Sequence, residues 1–194
     1  MNNQAVPAFG YLSVLVSIIL GLGMTHVLAA AVKVLQHRKR VRVFWPAALW
    51  ASNLFWLMLL VWWSGFSLNA HDRWTFAQFA STVAMPVLLY VAAGLILPGG
   101  DGDAPDDLRD AYDENRILFF VLVEAAIADS FLQTFLLDGR IFADLDTGLK
   151  VLAMAIIGVG IAFRSDAVQK AVAAINAGWL LAYVSLLFFN LRGG

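Results

Sequence analysis

The chain contains no cysteine, and only 14% of its 194 residues are charged. Soluble domains carry about 25% charged residues. Without cysteine there are no disulfides, Cys-ligated zinc sites or iron–sulfur clusters. So little charge also leaves too few polar side chains to cover a soluble fold of this size. These two shortages exclude an ordinary soluble globular protein.

Apolar residues instead make up 61% of the chain, and the mean hydropathy is +0.76. A transmembrane helix needs about 20 mostly apolar residues. Six stretches meet this requirement, at residues 9–34, 44–68, 74–97, 115–137, 147–163 and 168–191. Apolar runs such as 57–63 lack the alternation of β-barrel strands. The sequence therefore predicts an all-α, polytopic integral membrane protein, whose six transmembrane helices form a single domain over residues 1–194.

The distribution of positive charge predicts the orientation in the membrane. Loops on the cytoplasmic side of membrane proteins are enriched in Lys and Arg. With the N-terminus outside, nine of the 13 basic residues fall on the inner side: Lys33, Arg38, Lys39, Arg40, Arg42, Arg109, Arg116, Arg164 and Lys170. We therefore expect both termini on the outer side, as in a bacterial inner (plasma) membrane protein with periplasmic ends.

The longest connection is an acidic loop at residues 98–114, predicted on the inner side. It carries seven carboxylates and one arginine. Pro105 followed by Asp106 and Asp107 is typical of a helix start, because proline suits the first helical position and acids suit the positive end of the helix dipole. We expect a short helix there that continues into the fourth span.

A basic loop at residues 33–42 lies on the same predicted side and carries five cations. Cations beside a membrane attract anionic lipid headgroups. The candidates for this contact are Arg38, Lys39, Arg40 and Arg42. Docking of the basic loop on the acidic loop is the alternative. Nucleic acid is not an expected partner, because a basic run next to a span is first a topology and lipid signal.

Small residues recur every four positions in the first and sixth spans. Positions four apart lie on one helix face, and small residues let helix backbones approach closely in lipid. The two stripes comprise Ser13, Ser17, Gly21, Thr25 and Ala29 in the first span, and Ala174, Gly178 and Ala182 in the sixth. These stripes pack helices either within one chain or between subunits, and we expect a homo-oligomer.

Several polar residues fall inside the predicted spans. An ionisable group at the bilayer centre costs at least about 2.5–3.5 kcal/mol on insertion scales, so it usually faces the protein interior. The candidates for a substrate or ion site are Glu124, Asn53, Asn176, Asp129, Gln133 and His26. The first three lie about nine residues from the inner side, roughly 13 Å deep at about 1.5 Å per residue. They form one predicted layer near the midplane.

This layer predicts a midplane site for a proton, a cation or a small polar solute, and hence a small channel or transporter. Two alternatives remain open. In the first, the two asparagines hydrogen-bond a protonated Glu124, and their role is purely structural because they hold the bundle together. In the second, the protein is a non-transporting partner subunit or sensor. No named catalytic motif is present, so no catalytic residues are assigned and a non-enzymatic role is favoured. A single histidine within the spans predicts no haem or metal site, and no cofactor is expected.

Overall fold

A computed structural model describes residues 8–70, 74–97, 107–141 and 143–188. Within these ranges the chain forms six α-helices: α1 (Ala8–Gln36), α2 (Trp45–Ser64), α3 (Phe76–Ile96), α4 (Leu108–Asp138), α5 (Leu145–Ala162) and α6 (Asp166–Tyr183). A 3₁₀-helix at Gly65–Ala70 follows α2, and a π-helical turn at Val184–Phe188 follows α6. All six α-helices are long and apolar enough to cross a membrane. The predicted fold class is therefore confirmed.

Local capping explains where the helices begin and end. The Thr75 hydroxyl accepts from the Gln78 amide at 3.3 Å, and the Gln78 side chain accepts from the Thr75 amide at 2.8 Å. This reciprocal capping box starts α3. Asp107 starts α4 by accepting from the backbone amide of Arg109 at 2.8 Å. Gly139 ends α4 with a φ of 73°, a left-handed conformation that favours glycine.

The fourth helix is longer than the predicted fourth span. It begins at Leu108, so residues 108–114 of the predicted acidic loop are helical and continuous with the span. The expected helix start at Pro105 and Asp106 lies outside the described residues, as does the rest of 98–106. The predicted end of the sixth span at 189–191 also lies outside them.

Five helices form a closed ring. α2 packs on α3, α3 on α4, α4 on α5 and α5 on α6, while α6 returns to α2. α1 lies outside this ring and packs against α2 and α3. Because successive helices alternate in direction, the bundle has two ends. The Arg42 end carries residues 37–44, the start of α4 and the α5–α6 turn, and the Asp138 end carries the end of α4 and the start of α5.

One face of α1 makes its contact with the ring, and Gly23 is the point of closest approach. A Cβ atom at Gly23 would lie 2.9 Å from the Met58 side chain and 3.6 Å from the Tyr90 backbone. The buried residues on this face are Leu12, Leu20, Gly23, Val27 and Ala30. From Leu20 to Ala30 the spacing of three or four residues gives the single apolar face that helix packing requires.

The predicted small-residue stripes lie on the outside of the bundle. Their exposed members are Ser17, Thr25, Ala29, Ala174, Gly178 and Ala182. Ser17 has one contact inside the chain, since it accepts from the Trp62 indole at 3.1 Å. A Cβ atom at Gly21 or Gly178 would meet nothing within 4 Å. The contact of α1 with the ring therefore centres on Gly23 rather than on the Gly21 stripe.

Candidate functional site

The helices enclose a cavity of about 640 Å³ at the Asp138 end of the bundle. All six helices contribute to its wall, and exposed Ser64 and Asp138 lie at its mouth. Its polar lining residues are Ser64, Thr82, Ser130, Gln133, Thr134, Asp138, Asp146, Lys150 and Tyr183. Sites for small molecules occupy about 300–1,000 Å³, so the cavity has the size of a ligand site.

One face of α4 supplies a polar strip of this wall. Ser130, Gln133, Thr134 and Leu137 follow one another at offsets of three, four and seven residues, so they share a face. The Ser130 hydroxyl donates to the Ile127 carbonyl at 2.6 Å, and the Thr134 hydroxyl donates to the Ser130 carbonyl at 3.0 Å. Because these donors are used within the helix, the hydroxyl oxygens face the cavity as hydrogen-bond acceptors.

A second part of the wall, formed by α5 and α6, holds a network of charged side chains. The Lys150 ammonium lies 2.6 Å from the Asp146 carboxylate, one helical turn away. The Tyr183 hydroxyl donates to the same carboxylate at 2.7 Å. The Lys150 ammonium also lies 5.8 Å from the centre of the Phe131 ring, within cation–π range. With Asp138 at the mouth, the cavity presents one ammonium and two carboxylates.

Asp129 and Gln133 both face α3, as their spacing of four implies. Ser81 donates to Asp129 Oδ1 at 3.0 Å, and the Gln133 side-chain amide donates to the Thr82 hydroxyl at 2.9 Å. Gln133 and Thr82 line the cavity, whereas Asp129 lies behind it. The second carboxylate oxygen of Asp129 is buried without a hydrogen-bond partner among the described residues.

Asn53 and Asn176, two of the three residues of the predicted midplane layer, lie on the wall of one small cavity. Both line a small cavity of about 50 Å³ between α2, α4, α5 and α6. Their exposed fractions are only 8% and 6%. Leu57, Ile127 and Trp179 line both this cavity and the larger one. The asparagine pair therefore lies directly beneath the large cavity.

Glu124 and His26 lie apart from both cavities. Glu124 is half-buried and lines neither of them. Val123 faces the small cavity, and the next residue is rotated by about 100° around the helix, which turns Glu124 away. His26 Nε2 lies 3.2 Å from the Leu97 carbonyl oxygen at the end of α3. The structure thus separates Glu124 from the two asparagines.

Aromatic side chains fill the bundle between the small cavity and the Arg42 end. The Trp50 ring contacts Phe119 and Phe120 edge-on, with centroid distances of 5.5 and 5.1 Å. Tyr112 packs against Phe44 at 5.2 Å. All five side chains are buried. The interior is therefore open at the Asp138 end and closed by rings toward the Arg42 end.

A buried arginine caps α5 at the closed end. Arg116, only 5% exposed, donates from Nη1 to the carbonyl oxygens of Gly160, Ile161 and Phe163. Gln169 donates to the Gly160 carbonyl at 2.9 Å and also to that of Phe163. These carbonyls are the free acceptors of a helix C-terminus, which carries partial negative charge. The partial negative charge at the end of α5 therefore stabilises the guanidinium.

Sequence reasoning missed Arg116, Asp146, Lys150 and Tyr183 as interior residues. Arg116 and Lys150 entered the sequence-based prediction only as positive charges that set the orientation in the membrane. A signal for the Asp146–Lys150 pair was present, since an acid four residues before a base is the favourable order on a helix. No comparable pattern indicates Arg116, because its acceptors are backbone carbonyls of a helix that follows much later in the chain.

The basic and acidic loops meet at one point of the Arg42 end. The Leu108 amide donates to the Arg42 carbonyl at 3.1 Å, and the Arg42 guanidinium lies 3.9 Å from the Asp107 carboxylate. Arg109 then reaches Asp166 of α6 at 3.3 Å. Three of the other four cations of the basic loop are exposed, namely Arg38, Lys39 and Arg40. Docking of the two loops is therefore seen where α4 begins.

No group of three or more His, Asp or Glu side chains that could hold a metal ion occurs in the described ranges. Comparison of the chain with protein-family models, curated proteins and solved structures finds no match. A proposed function must therefore rest on the geometry of the two cavities.

Proposed function

We propose that this protein binds a small polar solute in the cavity of about 640 Å³ and carries it across the membrane. The observation that supports this most directly is a cavity of ligand size, within a bundle of helices fit to span a membrane, that is open at one end and closed at the other. A carrier in one of its two access states has this shape.

The charges of the wall favour a solute that carries both signs. The Lys150 ammonium suits an anionic group, while Asp138 and Asp146 suit a cationic one. Charged groups leave water at low cost only where such partners are available. The hydroxyl oxygens of Ser130 and Thr134 add hydrogen-bond acceptors. Because much of the remaining wall is made of aliphatic side chains, a small zwitterion with an apolar portion matches the cavity.

The aromatic closure supports a carrier over an open channel for protons or cations. Among the described residues, the buried rings of Trp50, Phe119 and Phe120 pack together between the asparagine pair and the Arg42 end. With both termini outside, as the positive charge predicts, the cavity opens to the outer side. We propose that anionic headgroups lie at the Arg42 end, against the exposed cations of the basic loop.

Uptake into liposomes tests this function, with two lysines as a matched pair. Lys150 and Lys170 each pair at 2.6 Å with an aspartate one turn earlier, but only Lys150 lines the cavity. A panel of labelled small zwitterions is presented to the reconstituted protein. We expect uptake above that of empty liposomes. Lys150→Met should reduce it at least about tenfold, the loss of one charged hydrogen bond, and Lys170→Met should leave it nearly unchanged.

Two results would contradict this proposal. One is that no solute of the panel enters above the empty-liposome rate. The other is that Lys150→Met and Lys170→Met lower uptake equally. Proton or potassium flux under an imposed potential, without solute uptake, would instead favour the channel.

A non-transporting partner subunit or sensor is the second candidate function. The exposed small-residue faces on α1 and α6 favour it, because such faces allow close approach of helices from another chain. Thermal stabilisation of the protein by a zwitterion, without uptake of that compound, would support a sensor.

A further inference from the structure

We infer that the small cavity between Asn53 and Asn176 is a subsite for a neutral group that both donates and accepts a hydrogen bond, namely a hydroxyl or a primary amide. This inference rests on the proposed function, because the group belongs to the solute held in the cavity above. The solute class is then a small zwitterion that ends in a hydroxyl or an amide.

Two unpartnered polar atoms carry the inference. Among the described residues, Asn53 Nδ2 and Asn176 Oδ1 are buried without a hydrogen-bond partner, and both residues are more than nine-tenths buried. The Trp50 indole nitrogen on the same wall is a third such atom and a further donor. Leaving buried donors and acceptors unpaired is costly, so nearly all such atoms in proteins are satisfied. A hydroxyl or amide between them would accept from Asn53 and donate to Asn176.

The wall of this cavity discriminates against other ligands. A cation needs several oxygen ligands, and the wall offers at most the two side-chain amide oxygens of the asparagines. An anion would lack a positive partner, since no Lys, Arg or His lines the cavity. An apolar group would leave both amide atoms unpaired. Only a neutral donor–acceptor group satisfies them.

The size and position of the cavity fit a group that enters from above. Its volume of about 50 Å³ exceeds the roughly 10–15 Å³ that one water requires. Leu57, Ile127 and Trp179 separate it from the large cavity and line both. The Trp179 indole donates to the Leu149 carbonyl at 3.0 Å, which holds this ring in place. Three apolar side chains therefore lie between the asparagines and a solute in the large cavity.

Two fluorinated probes of similar shape test the subsite. Fluoroacetamide donates and accepts hydrogen bonds and is neutral, whereas fluoroacetate is charged and has no donor. Fluorine NMR compares the binding of each probe to the full-length protein in nanodiscs, with empty nanodiscs as the baseline. We expect saturable binding of fluoroacetamide that fluoroacetate does not displace, since fluoroacetate can be held only by the Lys150 ammonium of the large cavity. Displacement of fluoroacetamide by fluoroacetate, or no fluoroacetamide binding above the baseline, would overturn the inference.

Leucine substitutions then locate the bound probe. Asn53→Leu and Asn176→Leu should each weaken fluoroacetamide binding about 5- to 10-fold, the effect of one hydrogen bond. Asn115→Leu is the matched control. Asn115 lines neither cavity, and its side chain donates to the Ala111 carbonyl of its own helix at 3.1 Å. Unchanged affinity in both cavity variants would place the probe elsewhere and refute the subsite.

The outcome separates the subsite from the carrier function. If either leucine variant fails to fold, the wild-type comparison of the two probes still decides. Zwitterion uptake without fluoroacetamide binding would overturn the subsite alone. Fluoroacetamide binding at the asparagines without uptake of any solute would overturn the carrier and leave the chemistry of the pocket intact.

Discussion

Alanine at Gly160 should destabilise the protein, whereas alanine at Gly158 should stabilise it. A Cβ atom at Gly160 would lie 3.0 Å from two ring carbons of Phe120 and 3.3 Å from Val172. A Cβ atom at Gly158 would meet nothing within 4 Å. The two neighbours of Gly160 are themselves buried, and the Phe120 ring is held against Trp50 at 5.1 Å. The ring therefore has little room to move.

The expected magnitudes follow from two opposing effects. Replacing glycine by alanine in a helix gains about 0.8–1.0 kcal/mol. Overpacking a filled core costs about 1–3 kcal/mol. A shift of the Gly160 backbone would also strain the hydrogen bonds that its carbonyl accepts from Arg116 and Gln169. We expect Gly160→Ala to lose about 1–2 kcal/mol of unfolding free energy and Gly158→Ala to gain up to about 1 kcal/mol.

Equilibrium unfolding in mixed detergent micelles, followed by tryptophan fluorescence, measures both changes. Trp50, one of seven tryptophans, packs directly on Phe120, so part of the signal reports on the region under test. The two variants carry the same substitution two residues apart, so effects of composition cancel. If they shift the unfolding midpoint in the same direction, the close approach of α5 to Phe120 does not constrain Gly160.

Three further outcomes follow from the fold. Arg116→Leu should lower the unfolding free energy by about 2–3 kcal/mol in the same titration, because charged hydrogen bonds to the end of α5 are lost; a change below about 0.5 kcal/mol would refute the cap. Gly23→Leu should lower the unfolding free energy by about 1–3 kcal/mol through overpacking. Gly21→Leu should leave the fold intact but reduce the amount of oligomer that mass measurement detects in nanodiscs. A wild-type protein that is monomeric in nanodiscs would contradict the expected oligomer. Topology reporters fused after the last residue and inserted at Gly100 should report the outer and inner sides, respectively; an inner C-terminus would contradict the orientation.

Hydropathy predicts the number and approximate limits of the helices because both depend on local composition. Each predicted span overlaps one helix, and the six-helix bundle follows from that alone. The start of α4 was harder to place, since residues 108–114 are too polar to look like part of a span. Their helix depends instead on the Asp107 cap and on the contact with the Arg42 loop.

The rotation of each helix about its axis was not predictable from spacing. Glu124 and Asn53 have similar predicted depths, but depth does not state which way a side chain faces. Gly21 and Gly23 are equally small and nearly adjacent, and only the position of Met58 distinguishes them. Asn53 and Asn176 share a cavity because both side chains happen to face the interior of the ring. The cavity wall at Lys150 depends on contacts between α5 and α6 that no local pattern encodes.

The contact of α2 with α6 has a consequence for biosynthesis. Helices of a membrane protein leave the ribosome in chain order, yet the ring closes only when the last helix reaches the second. Until then Asn53 faces lipid or a temporary neighbour, and the end of α5 lacks the Gln169 that α6 supplies. A nascent chain of five helices therefore exposes polar groups to the bilayer. Chains truncated before Asp166 should be recognised as incomplete and degraded, although they retain five of the six spans.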